Sequence, residues 1–471
     1  MMMRGWGVAA FLAASLTAGA LLPAGPAAAV HGAVPGDFDG DGYRDAVLPA
    51  PGANVSGKQA AGAVVVLYGS SSGLSSTRRK TFTQNTSGVP GTAEAHDRFG
   101  AATATADLNR DGYADLVVGS PYEDTSKGTD SGQVSVLWGG RNGLTSATEL
   151  PSPSGSPHLY GQDIAALSLG AAGKTSVAVA GYDAFVRFLG PFSRTGTFGV
   201  AILGMDVGSV ESVTLGDFRG DTLPAPAVAT ARDADATGGH LYTAFGAGLE
   251  LTGNGLITAS GDVNGDGYDD LVAGDPDEPA VAGTDGMPGG RILVWHGSAN
   301  GISTDTEPVQ ITQNTSGVPG ASEKGDAFGG GLTVADLNRD GLDDIVAGAP
   351  YEDVGSVQWA GAVTVIPGRA SGALGTGAYT FTQDTSGVPS VSEADDFFGT
   401  AVSAGDVNKD GRPELIVGAV GENDSTGAVF VLPGGSTRPT GTGSRVFTGP
   451  SLGLSQDNGT LLGGNGLLGI I

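Results

Sequence analysis

A nine-residue pattern, D-x-[DN]-x-D-G-x-x-[DE], occurs five times in this chain: DFDGDGYRD from Asp37, DLNRDGYAD from Asp107, DVNGDGYDD from Asp262, DLNRDGLDD from Asp336 and DVNKDGRPE from Asp406. Each copy puts oxygen-bearing side chains at positions 1, 3, 5 and 9 of a tight turn. Carboxylates crowded in this way repel one another unless a cation sits between them. A hard dication resolves the conflict: Ca²⁺ takes roughly six to eight oxygen ligands at about 2.3–2.6 Å. Glycine at position 6 lets the backbone turn, so that the carbonyl of position 7 can point inward as well. The predicted ligand sets are Asp37, Asp39, Asp41, the Tyr43 carbonyl and Asp45; Asp107, Asn109, Asp111, Tyr113 and Asp115; and Asp262, Asn264, Asp266, Tyr268 and Asp270. Two more follow: Asp336, Asn338, Asp340, Leu342 and Asp344; and Asp406, Asn408, Asp410, Arg412 and Glu414. Solvated Asp-Gly turns are the plain alternative for one copy; five copies in one phase favour about five bound Ca²⁺.

The residues after each loop separate the calcium motifs. A helix-loop-helix site needs a bidentate Glu at position 12, but Leu48, Val118, Ala273, Ala347 and Val417 stand there. The continuations LVVGS, LVAGD, IVAGA and LIVGA are apolar and β-branched and predict buried strands. The loop therefore joins two strands. The glycine-rich nonapeptide of calcium-loaded β-helices does not match either.

Fifty Asp and Glu against 23 Lys and Arg give a formal charge of −27, unsuited to nucleic acid or anionic membranes. Sixteen of those carboxylates fill ligand positions of the five loops, and five Ca²⁺ would bring the charge to −17. Residues 1–29 carry Arg4, an apolar run from Trp6 to Leu22 and the small residues Ala27, Ala28 and Ala29. This predicts a secretory signal peptide and free secretion, with a membrane anchor as the competing reading. There is no Cys, so calcium rather than disulfides is expected to stabilise the exported chain.

The loops lie inside a larger repeat. Phe99-Gly100, Phe328-Gly329 and Phe398-Gly399 stand eight residues before position 1, with an alternating small-residue strand between. After the loop come a second strand, then Gly119-Ser120-Pro121, Gly274-Asp275-Pro276 or Gly348-Ala349-Pro350, then third strands such as GAVVVLYG and GQVSVLWG. Segments such as TFTQ supply a fourth. Four short antiparallel strands per unit is the plan of a propeller blade. The same register exposes two decayed loops, one with Ser168, Gly170, Ala172 and Ser176 in the ligand positions, the other DFRGDTLPA from Asp217. Seven units result, predicting an all-β seven-bladed propeller over residues 30–471. The first unit lacks an inner strand. The C-terminal GGNGLLGII, aligned so that Asn465-Gly466 matches Asn254-Gly255, is expected to supply it and close the ring.

Phe-Gly, the aspartate loop and Gly-Ala-Pro in fixed phase resemble the FG-GAP repeat of the integrin α-subunit propeller, which many secreted bacterial proteins share. The resemblance covers roughly residues 31–471. It implies Ca²⁺ in the loops and a role in adhesion. The loops at Ser168 and Asp217 depart from the pattern, as do Pro413 and Glu414 in the last one.

Other motifs read as structural. Gly69-Ser70-Ser71-Ser72-Gly73 matches the G-x-S-x-G of hydrolases but sits in the turn between strands three and four, where no helix follows. Arg219-Gly220-Asp221 falls inside a decayed loop, where Arg219 is expected to replace the ion by pairing Asp217 and Asp221. His31, His96, His158, His240 and His296 share no metal-ligand spacing, and Trp138, Trp295 and Tyr68 share one register as packing residues.

Because strands alternate in direction, the face opposite the aspartate loops gathers PYED at Pro121 and Pro350, DPDEP at Asp275, GENDS at Gly421 and the TQNTSGVPG-like links at Thr83, Thr312 and Thr382. An extracellular protein or glycan is expected to bind a monomer there. The chain reads as a non-enzymatic adhesion or interaction module with structural calcium. The alternatives are an extracellular hydrolase related to the propellers of glycosylphosphatidylinositol-specific phospholipase D, and a lectin-like glycan binder using the PYED tyrosines.

Overall fold

The computed structural model describes residues 35–464 except 153–157, 170–173, 183–184, 205–207, 233–236, 244–249, 280–283 and 456–458. The expected signal peptide thus lies outside the described residues, as does the segment 465–471. Among the described residues no helix is long and apolar enough to cross a membrane.

Seven four-stranded sheets are each built from four consecutive antiparallel strands. Blade 1 runs from β1 (Pro35–Gly36) through β2 (Asp45–Ala50) and β3 (Ala63–Leu67) to β4 (Arg79–Phe82). The other six follow in order, ending with blade 7: β25 (Phe398–Gly405), β26 (Glu414–Ala419), β27 (Ala428–Leu432) and β28 (Arg445–Thr448). The second and third strands are almost wholly buried, which explains their near-continuous runs of Val, Leu and Ile. The outer strands, such as β4 and β8 (Ser146–Leu150), are mostly exposed or half-buried. Core clusters span neighbouring blades, so the apolar faces of adjacent sheets bury one another.

The two signature motifs meet at the joints between blades. Phe99, Phe328 and Phe398 are fully buried, and each donates its N–H to a carbonyl of the preceding blade: Ala61 at 3.0 Å, Gly289 at 2.8 Å and Ala360 at 2.9 Å. The glycine that opens Gly-Ala-Pro faces the glycine of the next Phe-Gly. A Cβ on Gly348 would collide with the carbonyl of Gly399, and one on Gly274 with that of Gly329. Side chains are therefore excluded on backbone grounds.

Blade 1 departs from the expected closure in two respects. Its inner strand is not wholly missing, because Gly36 pairs with Asp45 and Pro35 with Ala46. The Phe-Gly place is taken by Leu462-Gly463, three residues earlier than the alignment of Asn465-Gly466 puts it. Leu462 is fully buried against blade 1 residues Ala46 and Leu48 and donates its N–H to the Thr426 carbonyl at 3.1 Å. Gly463 donates to the Pro49 carbonyl at 2.9 Å, as Gly100 does to Gly119. The expected pairing of 465–471 as a strand falls outside the described residues.

Candidate metal centre

Each aspartate loop joins the first and second strands of a blade, and the five share one hydrogen-bond scheme. The position-1 carboxylate accepts the N–H of the position-6 glycine: Gly42 to Asp37 at 3.0 Å, Gly112 to Asp107 at 2.9 Å, Gly267 to Asp262 at 2.9 Å, Gly341 to Asp336 at 3.1 Å and Gly411 to Asp406 at 2.8 Å. Those glycines have φ between 79° and 88°, the left-handed region where a side chain is strained. Position 3 accepts from the N–H of position 5, as Asn264 does from Asp266 at 2.8 Å. Position 5 accepts from position 7, as Asp41 does from Tyr43 at 3.0 Å. The backbone therefore holds both oxygens of the position-1 carboxylate and one oxygen at positions 3 and 5, and so curls the loop. In the first loop, oxygens of Asp37, Asp39 and Asp45 all lie within 4.8 Å of one another.

Position 9 is the anchor. Asp45, Asp115, Asp270 and Asp344 are fully buried, and each ties its own loop to the turn between strands three and four. Asp115 accepts from Leu108 N–H at 3.0 Å and Gly139 N–H at 2.9 Å, and Asp344 from Leu337 at 3.1 Å and Gly368 at 3.0 Å. Glu414 takes the same place: it accepts from Val407 N–H at 2.8 Å but turns its second oxygen to Asn408 Nδ2 at 2.6 Å. The extra methylene is accommodated. Burial pushes Asp45, Asp115, Asp344 and Glu414 up to about 7, against backbone hydrogen bonds that favour the anion. Desolvation also raises Asp37 and Asp39, with neighbouring aspartates adding to it. All the donor atoms are oxygens and the carboxylates outnumber the basic side chains beside them, which fits a hard divalent cation and disfavours softer metals.

Several contacts around these loops are not legible in the pattern. Position 8 of one loop donates its N–H to the position-1 carbonyl of the loop before it: Ala114 to Asp37 at 2.8 Å, Asp269 to Asp217 at 3.2 Å and Asp343 to Asp262 at 3.0 Å. The Asp269 and Asp343 carboxylates also accept the N–H of Asp217 and Asp262, at 2.6 and 3.0 Å. Their one sequence signal is the Asp-Asp doublet closing two loops. Pro413 occupies position 8 of the last loop and has no N–H to give. Arg194 pairs with Asp111 at 2.7 Å, and His296 Nδ1 lies 3.2 Å from Asp270.

The decayed loop at Asp217 keeps its curl, with Thr222 N–H donating to Asp217 at 3.0 Å. Its cation is not Arg219, whose stem lies over Gly301. Lys174, from the other decayed loop, instead donates to the Asp221 carbonyl at 2.7 Å and to Thr222 Oγ1 at 2.6 Å. Arginine in that turn projects outward, while the neighbouring blade brings Lys174 across. Of the other decayed positions, Ser168 ends β9 (Ile164–Ser168) and Ser176 lies in β10 (Thr175–Ala180), whereas Gly170 and Ala172 fall outside the described residues.

The remaining motifs are accounted for structurally. Ser70 and Ser72 lie in the turn after β3, where Ser70 Oγ donates to the Gly73 carbonyl at 2.7 Å, and no helix follows. Trp138 and Trp295 are buried in cores.

Five segments, residues 29–67, 99–137, 254–291, 328–366 and 398–432, match the family described as FG-GAP repeat. They coincide with the blades whose loops keep all the ligand positions. The chain is 35% identical over 195 residues to integrin alpha pat-2 of Caenorhabditis elegans, covering 38% of this chain and 14% of that protein. It is 33% identical over 138 residues to integrin alpha-7 of Rattus norvegicus, 29% of this chain and 11% of that one. Phosphatidylinositol-glycan-specific phospholipase D of Mus musculus is 29% identical over 165 residues, 35% of this chain and 18% of that protein. The chain thus spans less than a fifth of the length of each of these relatives.

Proposed function

We propose that this FG-GAP repeat protein, an integrin α-like seven-bladed propeller, is an exported interaction module in which Ca²⁺ fills the five aspartate loops and rigidifies the ring. The observation that carries the reading is the linkage of loop to loop. The position-1 carbonyl and the position-9 carboxylate bond to the next blade and to the strand-three turn, so a cation at the loop centre braces both. A nearly saturated all-oxygen site leaves little room for a reacting water, which suits a structural ion better than a catalytic one. Residues 1–29 are taken as the export signal.

The partner face on this reading is the end opposite the loops. Tyr351 there packs edge-on to Trp359 and Phe397, with ring centroids 6.0 and 5.3 Å away, and Trp359 is 50% exposed. Such an aromatic cluster suits a protein side chain or a sugar ring. Capture of extracellular proteins and binding to a glycan array, each with and without chelator, test this. Calcium-dependent capture lost in Trp359→Ala supports the reading; unchanged capture sets aside this face.

A second reading, an accessory role in phosphodiester hydrolysis, rests on the likeness to the phospholipase D relatives. Release of glycosylphosphatidylinositol-anchored substrate by the purified chain would favour it.

A further inference from the structure

We propose a second kind of cation site, on the face opposite the aspartate loops, built by Glu393, Asp396, Glu422 and the side-chain carbonyl of Gln383. The three carboxylates offer oxygens within 4.8 Å of one another. Gln383 and Glu393 belong to the link that leaves β24 (Tyr379–Phe381) for blade 7, Asp396 lies just before β25, and Glu422 follows β26. The cluster therefore fastens the blade-to-blade link to the loop between strands two and three.

The second observation is the glutamine. Gln383 is 1% exposed and donates Nε2 to Glu422 Oε2 at 2.5 Å, which sets its amide against the cluster. Its Oε1 is buried without a hydrogen-bond partner. A buried carbonyl with no donor is costly, and an amide oxygen is a normal Ca²⁺ ligand. The constellation recurs. Gln84 donates to Glu123 at 2.5 Å and Gln313 to Glu352 at 2.6 Å, and both of their Oε1 atoms are likewise buried and unpartnered. Asp97 and Asp326 stand where Asp396 does, each accepting the N–H of the residue three before it, Glu94 and Glu323. Among the described ion pairs none brings Lys, Arg or His to Glu393, Asp396 or Glu422. Within the cluster Glu422 and Asp396 share a side-chain hydrogen bond, and Glu422 also meets the Asn423 amide, at 3.4 Å. Three converging carboxylates without a counter-charge, beside a buried amide oxygen that has no donor, suit a hard dication, and the cation supplies what the orphaned carbonyl lacks.

Calcium titration of the whole chain by calorimetry, with terbium luminescence as a second readout, tests this on three variants. Glu393→Gln changes an exposed ligand and leaves the core intact; it should weaken one site about tenfold or more. Glu422→Gln should abolish that site, while Asp410→Asn removes a loop site and leaves this one unchanged. Loss on Asp410→Asn together with full binding in both Glu393→Gln and Glu422→Gln overturns the proposal and leaves the loop reading standing. Loss in the glutamate variants but not in Asp410→Asn supports it and contradicts the loop reading. If Glu422→Gln fails to fold, Glu393→Gln decides alone.

Discussion

The backbone N–H of Arg44 in blade 1 donates to the carbonyl of Asp406 in blade 7 at 3.1 Å, joining the first and last blades through their aspartate loops. Ser70 N–H reinforces the joint by donating to the Val407 carbonyl at 3.2 Å. Ring closure and the candidate cation sites thus share the same loops, and whatever loosens the loops should loosen the ring.

Chelation is therefore expected to lower the melting temperature of the whole chain, with Ca²⁺ restoring it better than Mg²⁺. Binding to the native state stabilises by about 2.7 kcal/mol per site at a hundredfold excess over Kd. Calorimetry in chelator and in calcium measures the difference. Coincident melting curves would reduce the loops to simple turns.

The pH dependence should reverse when the metal is removed. Asp45, Asp115, Asp344 and Glu414 are pushed up to about 7 by burial. A carboxyl whose folded pKa lies above its unfolded value of about 4 stabilises the fold in its protonated form. That contribution is fully present below the unfolded pKa and disappears as pH rises through about 7. Metal-free protein should accordingly melt higher at about pH 5 than at about pH 8. Calcium favours the ionised form, so its affinity should rise over the same interval. Thermal scans in chelator at the two pH values check the first statement, and calcium titrations the second.

The decayed loops give a paired test. Lys174→Met removes two hydrogen bonds to Asp221 and Thr222 and should cost on the order of 1–2 kcal/mol. Arg219→Met removes no ion pair and should be close to neutral. Denaturant unfolding of both variants separates them, and the opposite order would return the role to Arg219.

What the chain disclosed before its structure was whatever repeats in phase. The phase of Asp107, Asp262, Asp336 and Asp406 located the loops, and the decayed copies at Ser168 and Asp217 completed the blade number. What it hid are contacts between residues that no repeat links. The side chain bracing Asp221 comes from Lys174, in another blade, and nothing local distinguishes it from the nearer Arg219. The ring bond of Arg44 to Asp406 runs through backbone, on which residue identity leaves no trace except where Pro413 forbids it. The glutamates of the PYED and GENDS segments look like exposed recognition residues, yet Glu123 and Glu422 are buried against glutamines of the preceding link. The closing residue is hidden for a related reason: Asn465-Gly466 resembles Asn254-Gly255, but burial selects a large apolar side chain, and Leu462 supplies it.

Leu462→Ala is expected to cost about 2–5 kcal/mol, the usual range for emptying a buried leucine site. Because that site lies between blades 7 and 1, the variant should also loosen closure and expose sheet edges to association. Equilibrium unfolding and light scattering measure the two effects. An unchanged stability would show that the ring is closed without Leu462.

The most direct test of the account is to locate calcium by anomalous scattering in crystals of the chain grown with Ca²⁺. A peak is expected among positions 1, 3, 5 and 9 of the loops starting at Asp37, Asp107, Asp262, Asp336 and Asp406, and none at Ser168 or at Asp217, where Lys174 stands. Loops that remain without a peak at saturating calcium, or equal peaks in all seven, would contradict it.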